Sequence, residues 1–286
     1  MNNDTKGILL VVLSGTSFGT LGVLGKYAAA AGLSIPTVLT YRFLGASIFF
    51  LAFLAYSGQV ERLRGRALAT AVLLGAGFYA AQSGLYFLGL EYMTAGLVGL
   101  VIYTYPVLVV VLSYLFLDEP ITRYTVVGLG LAVGGVAVVS GVNPAGADPR
   151  GIAVVLGAAL VYSGYYVTSQ VALEDVDAQT LTAYVLPSAG ASFIIYGVAT
   201  RSLTLPTTAS EVTILTAIAL LATAIPIGAL FAGVAYIGAS RASIISSLEP
   251  ATTVVLGVVL LDEPLAMATI VGSVLVLVGV IVIQME

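Results

Sequence analysis

The chain has 286 residues, of which 59% are hydrophobic and 8% charged, with a mean hydropathy of +1.10 and a net charge of −4. A water-soluble domain carries about a quarter charged residues, so this chain lacks the polar surface to coat a globule and reads as an integral membrane protein; its small negative charge offers no nucleic-acid surface. Histidine and cysteine are absent, which excludes zinc, haem, disulfide and cysteine-nucleophile chemistry, so no cofactor or metal is expected.

Crossing a bilayer takes about 20 apolar residues. Ten such spans are predicted, at 7–28, 35–57, 67–90, 95–117, 124–142, 151–173, 180–200, 213–237, 242–261 and 266–284. Lys6, the first apolar run and Tyr27-Ala-Ala-Ala-Ala-Gly32 loosely resemble a secretory signal. The run is long for a signal and has a counterpart in the second half, so it reads as a retained span. The second span carries Arg42. The third carries Tyr79, Gln82, Ser83 and Tyr86 at i, i+3, i+4 and i+7, one helix face. The fourth holds Tyr103, Tyr105 and Pro106, and ends at Leu117-Asp-Glu-Pro120.

A Pro/Gly-rich break, Asn143–Arg150, separates two halves, 1–142 and 151–286. In the second half, span six carries Tyr162, Tyr165, Tyr166 and Ser169, and span eight Thr223 and Pro226. Span nine carries Ser246, Ser247, Glu249 and Pro250 and ends at Leu261-Asp-Glu-Pro264. Pro106 and Pro250, and Asp118 and Asp262, are each 144 residues apart. The same offset relates Gly7 to Gly151, Gly89 to Gly233, Tyr92 to Tyr236, Ala95 to Ala239, Gly128 to Gly272 and Gly135 to Gly279. A gapless match of this length marks an internal duplication. Five spans per copy is odd, so the copies enter the membrane from opposite sides, the inverted-repeat plan of secondary transporters.

Arginine and lysine set the orientation. With the N-terminus inside, the inner loops receive Lys6, Arg62, Arg64, Arg66, Arg123 and Arg241, and the outer loops Lys26, Arg150 and Arg201. Both termini are therefore placed in the cytoplasm. Gly15/Gly19 and Gly130/Gly134 form GxxxG pairs, read first as packing within one chain and second as a dimer seam.

Charges inside spans face protein or a wet cavity. Arg42 and Glu249 each lie about seven residues into a span, roughly 10 Å below its surface. Arg42 reads as an anchor to helix-end carbonyls, as a snorkelling side chain or as a gating element. Glu249 precedes Pro250, which frees a backbone carbonyl one turn earlier. An apolar setting favours a neutral carboxyl, so Glu249 is a candidate for proton exchange during transport. Its counterpart at the 144-residue offset is Tyr105. The pairs Asp118-Glu119 and Asp262-Glu263 suggest a dyad, but the topology puts them on opposite membrane faces. They read as loop and helix-start residues before a proline. Tyrosine offers substrate a ring face and a hydroxyl. The mid-span stripes therefore predict a cavity lined by Tyr79, Gln82, Ser83, Tyr86, Tyr103, Tyr105, Tyr162, Tyr166, Thr223, Ser247 and Glu249. Glu249, Arg42, Pro106, Pro226 and Pro250 are expected to serve coupling or gating. So few charges favour a neutral, zwitterionic or aromatic cargo.

Ser246-Ser-Leu-Glu-Pro250, the following run to Leu261-Asp-Glu-Pro264, and Gly272 and Gly279 resemble the drug/metabolite transporter superfamily, EamA type. Tyr105-Pro106, Leu117-Asp-Glu-Pro120, Gly128 and Gly135 repeat the pattern, and Pro36 with Tyr41-Arg42-Phe43 and Ala46 resembles the family's second span. The resemblance covers essentially the whole chain. It implies an all-helical fold of two inverted five-helix repeats, a central cavity and alternating access. It also implies export of amino acids or other metabolites, with relatives carrying nucleotide sugars or drugs.

The expected activity is secondary transport of a small metabolite across the cytoplasmic membrane, with protons as a candidate coupling ion and the protein as monomer or homodimer. Nucleotide-sugar, nucleoside or drug-like cargo is the alternative. A channel or a polytopic membrane enzyme is the alternative of another class, and the enzyme is disfavoured by the absence of histidine and the split acidic pairs. No Gly-x-x-x-x-Gly-Lys-Ser/Thr motif is present, which argues against ATP drive within this chain.

Overall fold

The computed structural model describes residues 2–57, 61–117, 122–141, 147–237, 245–246 and 248–283. Every regular element among them is helical. In the first half these are α1 (Asn3–Gly19), α2 (Leu21–Ala30), α3 (Ile35–Ser57), α4 (Gly65–Val72), a π-helical segment Leu73–Tyr79, α5 (Ala80–Tyr92), α6 (Ala95–Ile102), α7 (Tyr105–Leu117) and α8 (Arg123–Gly141). In the second they are α9 (Pro149–Ala172), α10 (Ala178–Ala199), α11 (Ala209–Ala219), a second π-helical segment Leu220–Ala224, α12 (Ile225–Ile237), α13 (Leu248–Leu261) and α14 (Met267–Ile283).

Side-chain oxygens open several of these helices by accepting their unpaired amide hydrogens. Asn2 accepts from Thr5, Thr94 from Leu97, Asp148 from Arg150, Asp177 from Gln179 and Thr180, and Thr208 from Glu211. Among the described residues, seven helices are long and apolar enough to cross a membrane. Three further apolar helices, Val126–Val138, Leu248–Leu261 and Met267–Val282, are shorter and fall in the expected fifth, ninth and tenth spans. Large apolar side chains stand outward along them, among them Ile48, Phe116, Ile195 and Val259, as lipid-facing helices require.

The expected continuous spans prove interrupted. The first breaks at Thr20, whose hydroxyl donates back to the Ser17 carbonyl (2.7 Å), a local bond that bends helices. The third and eighth each pass through a π-helical turn at matching positions. The fourth stops at Tyr103-Thr104 and restarts at Tyr105. Pro106 and Pro250 each sit in the first turn of a helix, where a missing amide is tolerated, rather than mid-helix as the apolar pattern suggested, whereas Pro226 lies inside the continuous helical run 209–237, just after its π-helical turn.

Contacts between the halves recur at the 144-residue offset. α1 packs on α12, and its counterpart α9 packs on α5; α3 packs on α10, and α8 on α14. Lipid is as apolar as leucine, so such helices are held by close approach at small residues. A Cβ on Gly7 would lie 2.5 Å from Ile237, and one on Gly151 would lie 2.5 Å from Met93. At α8–α14, a Cβ on Gly135 would meet the Gly272 carbonyl at 2.7 Å, and one on Gly279 the Gly128 carbonyl at 2.7 Å. The matched glycines of the sequence are thus the points where the two halves touch. Of the GxxxG pairs, Gly15/Gly19 packs within the chain, against Ser246, Glu249 and Thr252. A Cβ on Gly130 or Gly134 would meet no atom of another helix within 4 Å among the described residues.

The second Leu-Asp-Glu-Pro differs from its expected role. Asp262 adopts a left-handed backbone (φ 51°) and ends α13, with the Glu263 amide donating to the Gly257 carbonyl (3.1 Å), a helix-stop geometry in which Asp replaces the usual Gly. The Glu263 carboxylate accepts from the amides of Ala95 and Gly96 at the start of α6. It therefore caps a helix of the other half and not the one that follows, because α14 begins only at Met267. The first pair, Asp118-Glu119, lies outside the described residues.

The two α8 glycines give a matched test. Gly135→Ala should destabilise the protein by about 1–3 kcal/mol through overpacking against backbone. Gly130→Ala should be neutral or stabilising by up to about 1 kcal/mol through helix propensity. Thermal unfolding of the two purified variants in one detergent measures both.

Candidate functional site

Arg42, on α3, is 3% exposed. Its Nε–H donates to the Thr223 hydroxyl (3.0 Å) and its Nη1 to the Ser83 hydroxyl (3.4 Å). Each hydroxyl passes its own proton on. Thr223 donates to the Ile218 carbonyl five residues back (3.0 Å), an acceptor left available by the π-helical turn, and Ser83 donates to Oε1 of Gln82 (3.1 Å). The guanidinium also lies 5.0 Å from the centre of the Phe43 ring. A buried cation is tolerated where such bonds and a ring face replace its water.

Beside this group lies an aromatic cluster. Tyr105 approaches Tyr162 and Tyr166 with ring centroids 4.7 and 5.1 Å apart, and their neighbours Tyr165 and Tyr79 continue the cluster (5.3 Å between them). Tyr103 meets Tyr105 edge-on at 5.8 Å, and Phe43 meets Tyr79 edge-on at 5.3 Å. The Tyr105 and Tyr166 hydroxyls are 3.4 Å apart. The Ser163 hydroxyl lies 2.7 Å from the Ala159 carbonyl of its own helix and 3.0 Å from the Tyr105 carbonyl at the α7 start, and can donate to either. Tyr79, Tyr105 and Tyr162 are only partly buried, and Tyr166 is 40% exposed, so the cluster keeps part of its ring and hydroxyl surface accessible.

Glu249 stands in the first turn of α13 and keeps part of its surface accessible. The Tyr103 hydroxyl lies 3.3 Å from its Oε2 and 2.8 Å from the Ser246 carbonyl. Gly19 lets α1 press against this turn, since a Cβ there would lie 2.9 Å from the Glu249 carbonyl. A separate apolar cleft of about 250 Å³ between α3 and α11, lined by residues including Tyr41, Pro206 and Leu215, contains neither Arg42 nor Glu249.

The EamA-like transporter family matches this chain twice, at residues 5–141 and 149–285. The chain belongs to the EamA-like transporter family. An uncharacterized transporter of Archaeoglobus fulgidus is 28% identical over 284 residues, covering 96% of this chain and 97% of the relative. The uncharacterized transporter YcbK of Bacillus subtilis is 27% identical over 280 residues, covering 93% and 88%. A solved crystal structure shares the fold, with a TM-score of 0.68 at 19% identity over 97% of this chain and 96% of that one. The protein is thus a multi-pass membrane transporter of the EamA type and not an enzyme.

In this EamA-like transporter the residues picked from helical faces fall into three groups. Arg42, Gln82, Ser83 and Thr223 form one buried hydrogen-bonded set. Tyr79, Tyr105, Tyr162 and Tyr166 form the aromatic wall. Tyr103 joins the wall to Glu249, with Tyr86 buried nearby at 6% exposure. Pro106 and Pro250 mark the helix starts beside them, and Pro226 offers its carbonyl to the Ser14 hydroxyl (2.8 Å). Ser247 lies outside the described residues. Phe43, Ser163 and Ser14 did not stand out in the sequence. A lone serine or phenylalanine in an apolar helix carries no periodic signal, and the partners of Ser14 and Ser163 are 212 and 58 residues away.

Thr223→Val keeps the shape of the side chain and removes both its bonds. It should cost about 1–3 kcal/mol, because the Arg42 Nε–H is left buried without an acceptor. A lowered thermal midpoint in detergent, compared with a Thr213→Val control on exposed α11, is the measurement.

Proposed function

We propose that this transporter is a secondary carrier that moves a small neutral, zwitterionic or aromatic metabolite out of the cell by alternating access. The observation that carries the reading is the partly exposed tyrosine cluster, joined through Tyr103 to the Glu249 carboxyl and with Arg42 buried beside it, which we read as the wall of a recess. Rings and hydroxyls suit small organic solutes, and a single accessible carboxyl suits a proton exchanged per cycle. The cargo stays within amino acid-like, aromatic or comparably sized solutes, because the wall presents no cluster of charges to a polyanion. Nucleoside, nucleotide-sugar or drug-like cargo remains the alternative within the superfamily.

The architecture assigned to this activity is ten spans in two inverted five-helix repeats, residues 1–142 and 151–286 joined by 143–150. Both termini lie in the cytoplasm, and the membrane is the plasma membrane. The paired glycine contacts at the 144-residue offset and the double family match support that arrangement. Two halves of like structure can exchange conformations, so that each in turn opens the recess to one side.

Counter-flow in proteoliposomes tests the reading. With a panel of amino acids, nucleosides and aromatic amines, one solute should show uptake accelerated by the same solute inside. Uptake indifferent to internal solute would indicate a channel. Glu249→Gln should remove the pH dependence of that flux, and a pH response as large as that of the wild type would refute the coupling role.

A further inference from the structure

The Ser246 carbonyl, just before the start of α13, accepts from the Tyr103 hydroxyl (2.8 Å), which also lies 3.3 Å from Glu249 Oε2. A phenol carries one proton and two acceptor sites. It therefore donates to one of these oxygens at a time. An ionised carboxylate is the stronger acceptor and draws the proton to itself. A protonated Glu249 needs no donor and can donate to the phenol oxygen, leaving the Tyr103 proton for the Ser246 carbonyl.

Other groups around Glu249 offer no equivalent. Arg42 on α3 is held by Thr223 and Ser83. Tyr79 and Tyr86 from the third span and Tyr105 from the start of α7 are the other ionisable side chains near it, and among the described residues none is hydrogen-bonded to it. α1 approaches through Gly15 and Gly19, and α2 through Gly22 beside Thr253. Only Tyr103 has a hydrogen bond to the carboxyl among these groups. It sits at the α6–α7 break of the first half and reaches the helix start in the second.

We propose that Tyr103 is a positioning residue for transport: its hydroxyl turns between Glu249 and the Ser246 carbonyl, and so links the protonation of the carboxyl to the start of α13. The inference rests on the reading of Glu249 as the coupling carboxyl. Protonation then alters a bond that joins the two halves, where a rocking motion needs a contact that can be exchanged.

The test requires no substrate. Infrared difference spectra of the full-length protein in lipid nanodiscs, titrated with pH, identify the Glu249 carboxyl stretch as the band missing from Glu249→Gln. In Tyr103→Phe, which keeps the ring, the midpoint of that band should move by about one pH unit to the alkaline side, since the carboxylate loses its donor. A midpoint equal to that of the wild type overturns the role of Tyr103 and leaves Glu249 as the coupling group. No titrating band dependent on Glu249 overturns both. Thermal unfolding separates a purely structural role, in which Tyr103→Phe destabilises equally in the wild-type and Glu249→Gln backgrounds and leaves the midpoint unmoved.

Discussion

Inside hydrocarbon every backbone carbonyl and amide needs a partner, because no water is there to supply one. This constraint governs the centre of the molecule, where helices stop, bulge or restart. Several of these points have a hydroxyl beside them: Tyr103 serves the Ser246 carbonyl, Ser14 the Pro226 carbonyl and Thr223 the Ile218 carbonyl. Two of these hydroxyls also touch the candidate site, Tyr103 at Glu249 and Thr223 at Arg42.

Between the halves a different economy holds. Association in lipid depends on fit, so glycine backbones are set directly against neighbouring chains at α1–α12, α5–α9 and α8–α14. Close contacts of this kind are rigid locally. They leave movement to whole helices and to the interrupted segments, which have fewer internal bonds to break. The Glu263 carboxylate on the amides of α6, with Lys26 nearby donating to the Leu90 carbonyl, adds polar contacts at one end of the bundle. Such bonds can be broken and remade without repacking a core.

Charge is handled asymmetrically. Arg42 is enclosed and its bonds go to neutral hydroxyls, whereas Glu249 keeps accessible surface and, among the described residues, a single side-chain donor. At the position equivalent to Glu249 the first half has Tyr105, which joins the aromatic wall. The duplication supplied two like frames, and this one difference separates the site's acidic side from its aromatic side.

The sequence by itself determined the membrane class and the 144-residue offset, because these follow from composition and spacing, and its motifs carried the resemblance to the family. It also grouped Tyr79, Gln82, Ser83 and Tyr86 on one face, since period 3.6 is local. Tertiary structure alone decided that Gln82 and Ser83 turn to Arg42 while Tyr79 turns to Tyr165, that Glu263 caps α6, and that Tyr103 spans from one break to the other. These are contacts between residues 41 to 168 positions apart in four of the five cases. Their partners are chosen by how whole helices cross, and helix crossing is set by the summed fit of many side chains, which no local pattern encodes.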